Sequence, residues 1–299
     1  MKKYESGIIS AFIISLFSIL LVSCPHEINP PEPRPDGVRI KAHNGATFPV
    51  ETGLRPLEGV DERIRIEWSP LPNNENNLIE EYFIFRSNGP DSPYVQIGNR
   101  LVEFAEEDSF FIDEHVFEDV PYSYFVMARN SKDKFTDTSS YFGNEEFIKS
   151  IQLGHKVEYI IAPPADTANT KPTFTWCTGR LSPAPLKYLV KLATPSGQII
   201  WIAEKQIGVF DSECLINNNF EYMTFHNNSY TSQSTPMDSL KISGTLNVTV
   251  HYINPAFFDG GRLLKNNSYL WRVDAVFDGA ESKSRWSAFS VTKDYINPN

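Results

Sequence analysis

Tyr122-Ser123-Tyr124-Phe125-Val126-Met127-Ala128-Arg129-Asn130 is the stretch on which the fold turns. Tyr122, Tyr124, Val126 and Ala128 fall on one face of it, and Ser123, Phe125, Met127 and Arg129 on the other. A period of two belongs to a strand, because successive side chains leave an extended backbone on opposite sides. The same pattern recurs on either side. Upstream, Ile64, Ile66 and Trp68 alternate with Arg63, Arg65 and Glu67, and Ser69-Pro70-Leu71-Pro72-Asn73-Asn74 ends that strand. Glu81-Tyr82-Phe83-Ile84-Phe85-Arg86 is closed by Ser87-Asn88-Gly89-Pro90, and Tyr94-Val95-Gln96-Ile97 by Gly98-Asn99. Phe110-Phe111-Ile112-Asp113 leads through Val116 and Val120 into the opening stretch, and a last strand is expected near Ser139 to Phe142. Beyond Val38 no long amphipathic helix is apparent, so the chain reads as all-β, in sandwiches of short strands parted by turns.

The second half repeats the theme more loosely. Phe174 and Trp176 alternate on one strand, and Tyr188, Val190 and Leu192 on the next. Pro195-Ser196-Gly197 turns into Ile199-Ile200-Trp201. Thr245 to Ile253 places Leu246, Val248, Val250 and Tyr252 on one face. Tyr269-Leu270-Trp271-Arg272-Val273-Asp274-Ala275-Val276-Phe277 parallels the Tyr122 strand, and Arg285-Trp286-Ser287-Ala288-Phe289 closes the sheet.

This order of residues resembles a bacterial fibronectin type III domain over residues 38–147. Trp68 stands on the second strand, Tyr82 and Ile84 on the third with Arg86-Ser87 after them, and Tyr122 takes the place of the tyrosine corner. In such sandwiches that hydroxyl bonds back to the backbone a few residues upstream. Residues 157–294 resemble a second fibronectin type III or related immunoglobulin-like domain, with a linker expected at 148–156. Residues 206–243 depart from the family as an insertion. Its Asn217 to Asn228 run mixes amides with aromatics, and Tyr222, Phe225, His226 and Tyr230 are its candidate glycan contacts.

The N-terminus carries a separate message. Lys2 and Lys3 precede an uncharged run from Ile8 to Val22, shorter than the roughly 20 apolar residues a membrane span needs but suited to a cleavable signal core. Leu21-Val22-Ser23-Cys24 resembles the bacterial lipobox. The resemblance implies a signal peptide over 1–23 and acylation of Cys24, palmitate among the acyl chains, which would hold the chain on a membrane of the cell envelope, the outer one if the cell has two. Pro25, Pro30, Pro31, Pro33 and Pro35 then deny residues 24–37 a helix or ladder. They read as a semi-rigid tether of about 3 Å per residue, reaching roughly 40 Å.

The formal charge is −10, so nucleic acid, which needs a clustered positive field, is not an expected partner. The densest acidic runs, Glu106-Glu107-Asp108 and Asp113-Glu114, read as solvated sheet edges. The chain has no Gly-x-Ser-x-Gly, His-Glu-x-x-His, phosphate loop or Cys-x-x-Cys. His26, His43, His115, His155, His226 and His251 are scattered, and Asp133 and Asp137 share a turn without a calcium-motif spacing. No enzyme activity, cofactor or metal is expected. Cys177 and Cys214 are the thiols left besides Cys24; in an exported chain an even pair suggests a bridge, while a domain with an ample core can do without one.

Strand parity adds one candidate surface. With Tyr82, Ile84, Tyr122, Tyr124, Val126 and Ala128 inward, Phe83, Phe85, Phe125 and Met127 share the outer face as a patch for a protein partner. The corresponding positions of the second domain are Lys187, Leu189, Lys191, Leu270, Arg272, Asp274 and Val276, a mostly polar set that reads as solvated. Together these features lead to the expectation of a lipid-anchored protein-interaction, scaffold or adhesion module whose partner is another envelope protein. A glycan-binding accessory role in polysaccharide uptake is the alternative.

Overall fold

In the first half, the period-two segments become β1 (Arg55–Pro56), β2 (Ile64–Glu67), β3 (Ile79–Ser87), β4 (Val95–Leu101), β5 (Phe110–Asp113), β6 (Pro121–Asn130) and β7 (Lys149–Leu153). The computed structural model describes residues 37–72, 78–89, 91–102, 109–136, 147–157, 159–162, 168–170, 172–177, 185–206, 221–224, 240–242, 246–259 and 262–294. One sheet runs β1-β2-β5 and the other contains β7-β6-β3-β4. This is the two-layer order expected of a fibronectin-III-like sandwich. Trp68, Ile64, Ile66, Tyr82, Ile84, Tyr122, Tyr124, Val126 and Ala128 bury together between the sheets, so the inward parity holds at every one of these positions.

Residues 148–156, expected as a linker, instead carry the last strand of this sandwich. β7 pairs with β6 through Tyr122↔Ile151 and Tyr124↔Lys149, and Leu153 is fully buried in the core. Ser139 to Phe142 lies outside the described residues. The period of Ile151-Gln152-Leu153 is too short to stand out in sequence.

The second half contributes β8 (Tyr159–Ala162), β9 (Ala168–Asn169), β10 (Thr173–Cys177), β11 (Lys187–Ala193), β12 (Ile199–Gln206), β13 (Glu221–Thr224), β14 (Leu240–Ile242), β15 (Leu246–Ile253), β16 (Phe258–Asp259), β17 (Arg262–Leu263), β18 (Ser268–Val276), β19 (Ala280–Lys283) and β20 (Ser287–Lys293). The sheet β13-β10-β8 faces β14-β15-β12-β11-β18-β19. Its core is aromatic: Phe174 lies 4.9 Å from Trp271 and Trp176 packs edge-on to Tyr188 at 5.3 Å, centroid to centroid. The insertion gives β13 to this sandwich, pairing with β10 from Thr173↔Thr224 to Trp176↔Glu221.

Both sandwiches carry a tyrosine corner of the same span. Phe117 N donates to Tyr122 Oη at 2.9 Å, and Leu264 N donates to Tyr269 Oη at 3.1 Å. Tyr122→Phe is expected to lower unfolding stability by about 0.5–1.5 kcal/mol, the net value of one such bond. Urea unfolding of the full chain checks it; an unchanged midpoint would show that water replaces the hydroxyl at no loss.

Arg34–Asn299 is one compact unit. Its halves join edge to edge, because β7 pairs with β6 on one side and runs parallel to β19 on the other, through Ala280↔Gln152 and Glu281↔Leu153. Gly154 N extends the join by donating to Glu281 O at 3.2 Å. A single twelve-stranded sheet therefore crosses both sandwiches.

Candidate functional site

The loop between residues 41 and 54 of the first sandwich is folded by its own polar groups. Asn44 Nδ2 donates to Val50 O at 2.8 Å, and Thr52 N returns a bond to Asn44 Oδ1 at 2.9 Å. Gly53 takes φ +84°, and a Cβ there would collide with the Ala42 carbonyl, so the chain can reverse only with glycine at this point. The tightened loop delivers Glu51 onto the outer face of β11, β18 and β19.

Glu51 is the hub of a buried ionic cluster there. Its Oε1 lies 2.5 Å from Lys191 Nζ and 3.3 Å from Arg272 Nη2, and its Oε2 contacts Lys283 Nζ. Asp274 Oδ2 lies 3.0 Å from Lys191 Nζ, and Asp274 Oδ1 3.0 Å from Arg272 Nε. Glu58 Oε2 reaches Arg272 Nη1 at 3.2 Å. His43 Nε2 lies 3.1 Å from Glu281 Oε1 and 3.7 Å from Glu51 Oε2. Lys191 and Asp274 are each 1% exposed. The face expected to be solvated is thus covered by the first sandwich at Lys191 and Arg272, with Asp274 buried beside them. Parity placed these side chains on the correct side of the strand, but what lies on that side is protein rather than water.

Burial would raise the Glu51 carboxyl, but Lys283, Lys191 and Arg272 overcome it and hold the group at about 2. For Lys283 the balance runs the other way: burial lowers its ammonium more than Glu51, Glu281 and Asp274 raise it. Arg272 is desolvated too, yet Asp274, Glu51 and Glu58 outweigh that and raise it. Burial raises Glu281, and His43 and Lys283 more than reverse it. The cations of this cluster are therefore tolerable only while the carboxylates remain.

A second polar group closes the junction nearby. His155 Nδ1 lies 2.6 Å from Glu118 Oε2, and its Nε2 3.3 Å from Asp119 Oδ2. Lys156 Nζ pairs with Glu62 at 3.2 Å, and Ser282 Oγ donates to His155 O at 2.7 Å. The two sandwiches are held by charge and backbone pairing where they meet.

The expected apolar patch has a different fate. Phe83, Phe85, Phe125 and Met127 do lie on the outer face, but Phe125 is only 5% exposed. It stacks on Phe85 at 4.7 Å, meets Tyr94 at 4.9 Å, and forms a small core with Phe147, packed by Met127 and Ile148. Phe83 packs on Phe135 at 5.6 Å. The residues leading into β7 cover the face, so Phe125 is not an open docking residue.

Other sequence candidates are dispersed. Cys24, Phe225, His226, Tyr230, Cys214 and Asp137 lie outside the described residues, while Tyr222 lies in β13 and Cys177 in β10. The Cys177–Cys214 bridge and the glycan contacts therefore fall outside what is described. Asp133 pairs with Arg129 at 2.8 Å, and His251 with Glu204 at 2.9 Å. Asp113, read as part of a solvated edge, is buried between the sheets. Sequence reading missed the grouping of His43, Glu51 and Glu281, whose ligand-type atoms lie within 4.8 Å of one another. Long separation in the chain hides it, and only the β7–β19 join brings it together.

No family model and no curated protein matches this chain. Among solved structures it is similar to the FN1–FN3 domains of chicken CNTN1, with 11% identity over 87% of this chain and 67% of that one, at a TM-score of 0.22. It is likewise similar to the central fibronectin-III array of RIM-binding protein, with 11% identity over 84% of this chain and 96% of that one, at a TM-score of 0.25. The twitchin kinase region from C. elegans shares 10% identity over 58% of this chain and 32% of its own, at a TM-score of 0.28. Likenesses at these scores carry no argument about function; the fibronectin-III-like fold rests on strand order, core and paired tyrosine corners.

Proposed function

We propose that this chain is a lipid-anchored envelope protein whose two sandwiches act as one protein-interaction or scaffold module. Cys24 is its attachment to the membrane, the proline-rich residues 24–37 are its stand-off, and another envelope protein is its partner. The observation that carries the reading is the junction. A sheet continuous through β7 and β19, backed by a buried ionic cluster, presents the two sandwiches as one body rather than as two beads on a string. Such a body suits a spacer or scaffold, which must hold binding surfaces at a set distance. The lipobox resemblance of Leu21-Val22-Ser23-Cys24 supports the anchor.

The test is lipid labelling in a bacterium with lipoprotein processing. Wild-type chain is expected to take up labelled fatty acid and to fractionate with membranes. Cys24→Ala removes the nucleophilic sulfur, so label should vanish and a precursor retaining the leader should accumulate. Wild-type chain without label would overturn the anchored reading.

A further inference from the structure

The junction contains an arrangement that a set of ion pairs does not exhaust. His43 Nδ1 donates to the Thr52 carbonyl at 3.2 Å, which fixes the ring so that Nε2 points at two carboxylates. Nε2 is buried and makes no hydrogen bond of acceptable geometry among the described residues, and neither does Glu281 Oε1. Orienting an imidazole through a backbone carbonyl is how proteins prepare a histidine to bind metal through its other nitrogen. Glu51 is prepared in the same sense, because Lys191 and Arg272 hold its Oε1 and turn Oε2 toward His43. Around this point four carboxylates, of Glu51, Glu58, Asp274 and Glu281, face the three cations of Lys191, Arg272 and Lys283.

We propose that His43 Nε2, Glu51 Oε2 and Glu281 Oε1 are the protein ligands of a divalent transition-metal site, with water in the fourth position of a tetrahedron. Tetrahedral nitrogen and oxygen ligands at about 2.0–2.2 Å from Zn2+ stand about 3.3–3.5 Å apart. The His43–Glu281 and His43–Glu51 separations, 3.1 and 3.7 Å, bracket that spacing. One imidazole with two carboxylates suits zinc and its first-row neighbours better than calcium or magnesium, which prefer oxygen alone. The side chains of His43, Glu51 and Glu281 are 20%, 9% and 15% exposed, so the site lies at the partly shielded edge of the junction. The metal has one competitor: the Lys283 ammonium contacts the same Glu51 oxygen and must be displaced. His43 and Glu51 come from the first sandwich and Glu281 from the second, so a bound ion would clamp the two together.

The test uses tag-free full chain freed of metal with a chelator, with Zn2+ titrated by calorimetry and Co2+ by visible absorption. Wild-type chain should bind one equivalent of Zn2+, and Co2+ should give the intense visible bands of tetrahedral coordination. His43→Ala and the isosteric Glu281→Gln should each weaken binding about 100-fold. Lys283→Met should tighten it about tenfold by removing the competitor. Absence of a saturable one-to-one Zn2+ site in the wild type overturns the proposal. So does binding left unchanged in both His43→Ala and Glu281→Gln chains whose circular dichroism matches wild type. An affinity unchanged in Lys283→Met would place the ion on atoms other than Glu51 Oε2, which overturns the ligand set.

Discussion

Glu51→Gln is expected to destabilise the full chain by about 3 kcal/mol, and Glu51→Ala by about 3–5 kcal/mol, the loss seen when one partner of a buried ion pair is removed. The reason is what remains. Lys191, Arg272 and Lys283 each contact Glu51, and Lys191 and Lys283 are 1% and 2% exposed, so none can turn to bulk water once the carboxylate is gone. Asp274 still offers both oxygens to Lys191 and Arg272. Lys283 fares worst, because burial already weighs against its ammonium and its other near carboxylate, Glu281, stands 4.0 Å away. Gln keeps the volume and one acceptor, which is why its loss falls below that of Ala. Glu58 provides the control: it meets Arg272 at 3.2 Å but its side chain is 44% exposed, so Glu58→Gln should cost less than about 1 kcal/mol. Urea unfolding followed by tryptophan fluorescence separates the two. Equal losses from Glu51→Gln and Glu58→Gln would show that water screens the cluster.

Glu51 also marks where sequence reading stops. The period-two runs gave the longer strands and their inward residues, because these are written in neighbouring residues, and the family resemblance placed the corner at Tyr122. Parity also put Phe125 and Lys191 on the outer faces of their strands. What parity does not specify is the occupant of a face. Phe147 covers Phe125, and the 41–54 loop covers Lys191, and both come from distant parts of the chain. A polar outer face reads as solvated in either case, since lysine and arginine on a strand look the same whether they meet water or a carboxylate. β7 was hidden for a simpler reason: a five-residue strand with one buried residue, Leu153, and Ile151 packed beside it falls below the pattern that marks its longer neighbours. The His43, Glu51 and Glu281 grouping needed both the loop and the join before it could exist.

Asp113 shows the same limit inside one sandwich, and Asp113→Ala is expected to cost about 3–5 kcal/mol. At the end of β5 it reaches across to the opposite sheet. Arg86 Nη1 lies 3.0 Å from Oδ1 and 2.8 Å from Oδ2, Tyr124 Oη donates to Oδ2 at 3.0 Å, and His115 N donates to Oδ1 at 3.1 Å. Burial, and after it the Asp113 charge, pushes the Tyr124 hydroxyl well above its ordinary range, so it remains a donor at any ordinary pH. Arg86 can fall back on the His115 carbonyl at 2.7 Å, but the fully buried Tyr124 hydroxyl loses the one acceptor found for it among the described residues. Removing the acid should therefore cost more than removing both ends of the bond. A double-mutant cycle reads this directly. Tyr124→Phe alone should be mildly destabilising, and in the Asp113→Ala background it should cost nothing or recover part of the loss. The exposed neighbour Glu114→Ala should stay within about 0.5 kcal/mol of wild type. Strictly additive losses for Asp113 and Tyr124 would mean that the two groups do not act on each other, and the tie between the sheets would then rest on Arg86 alone.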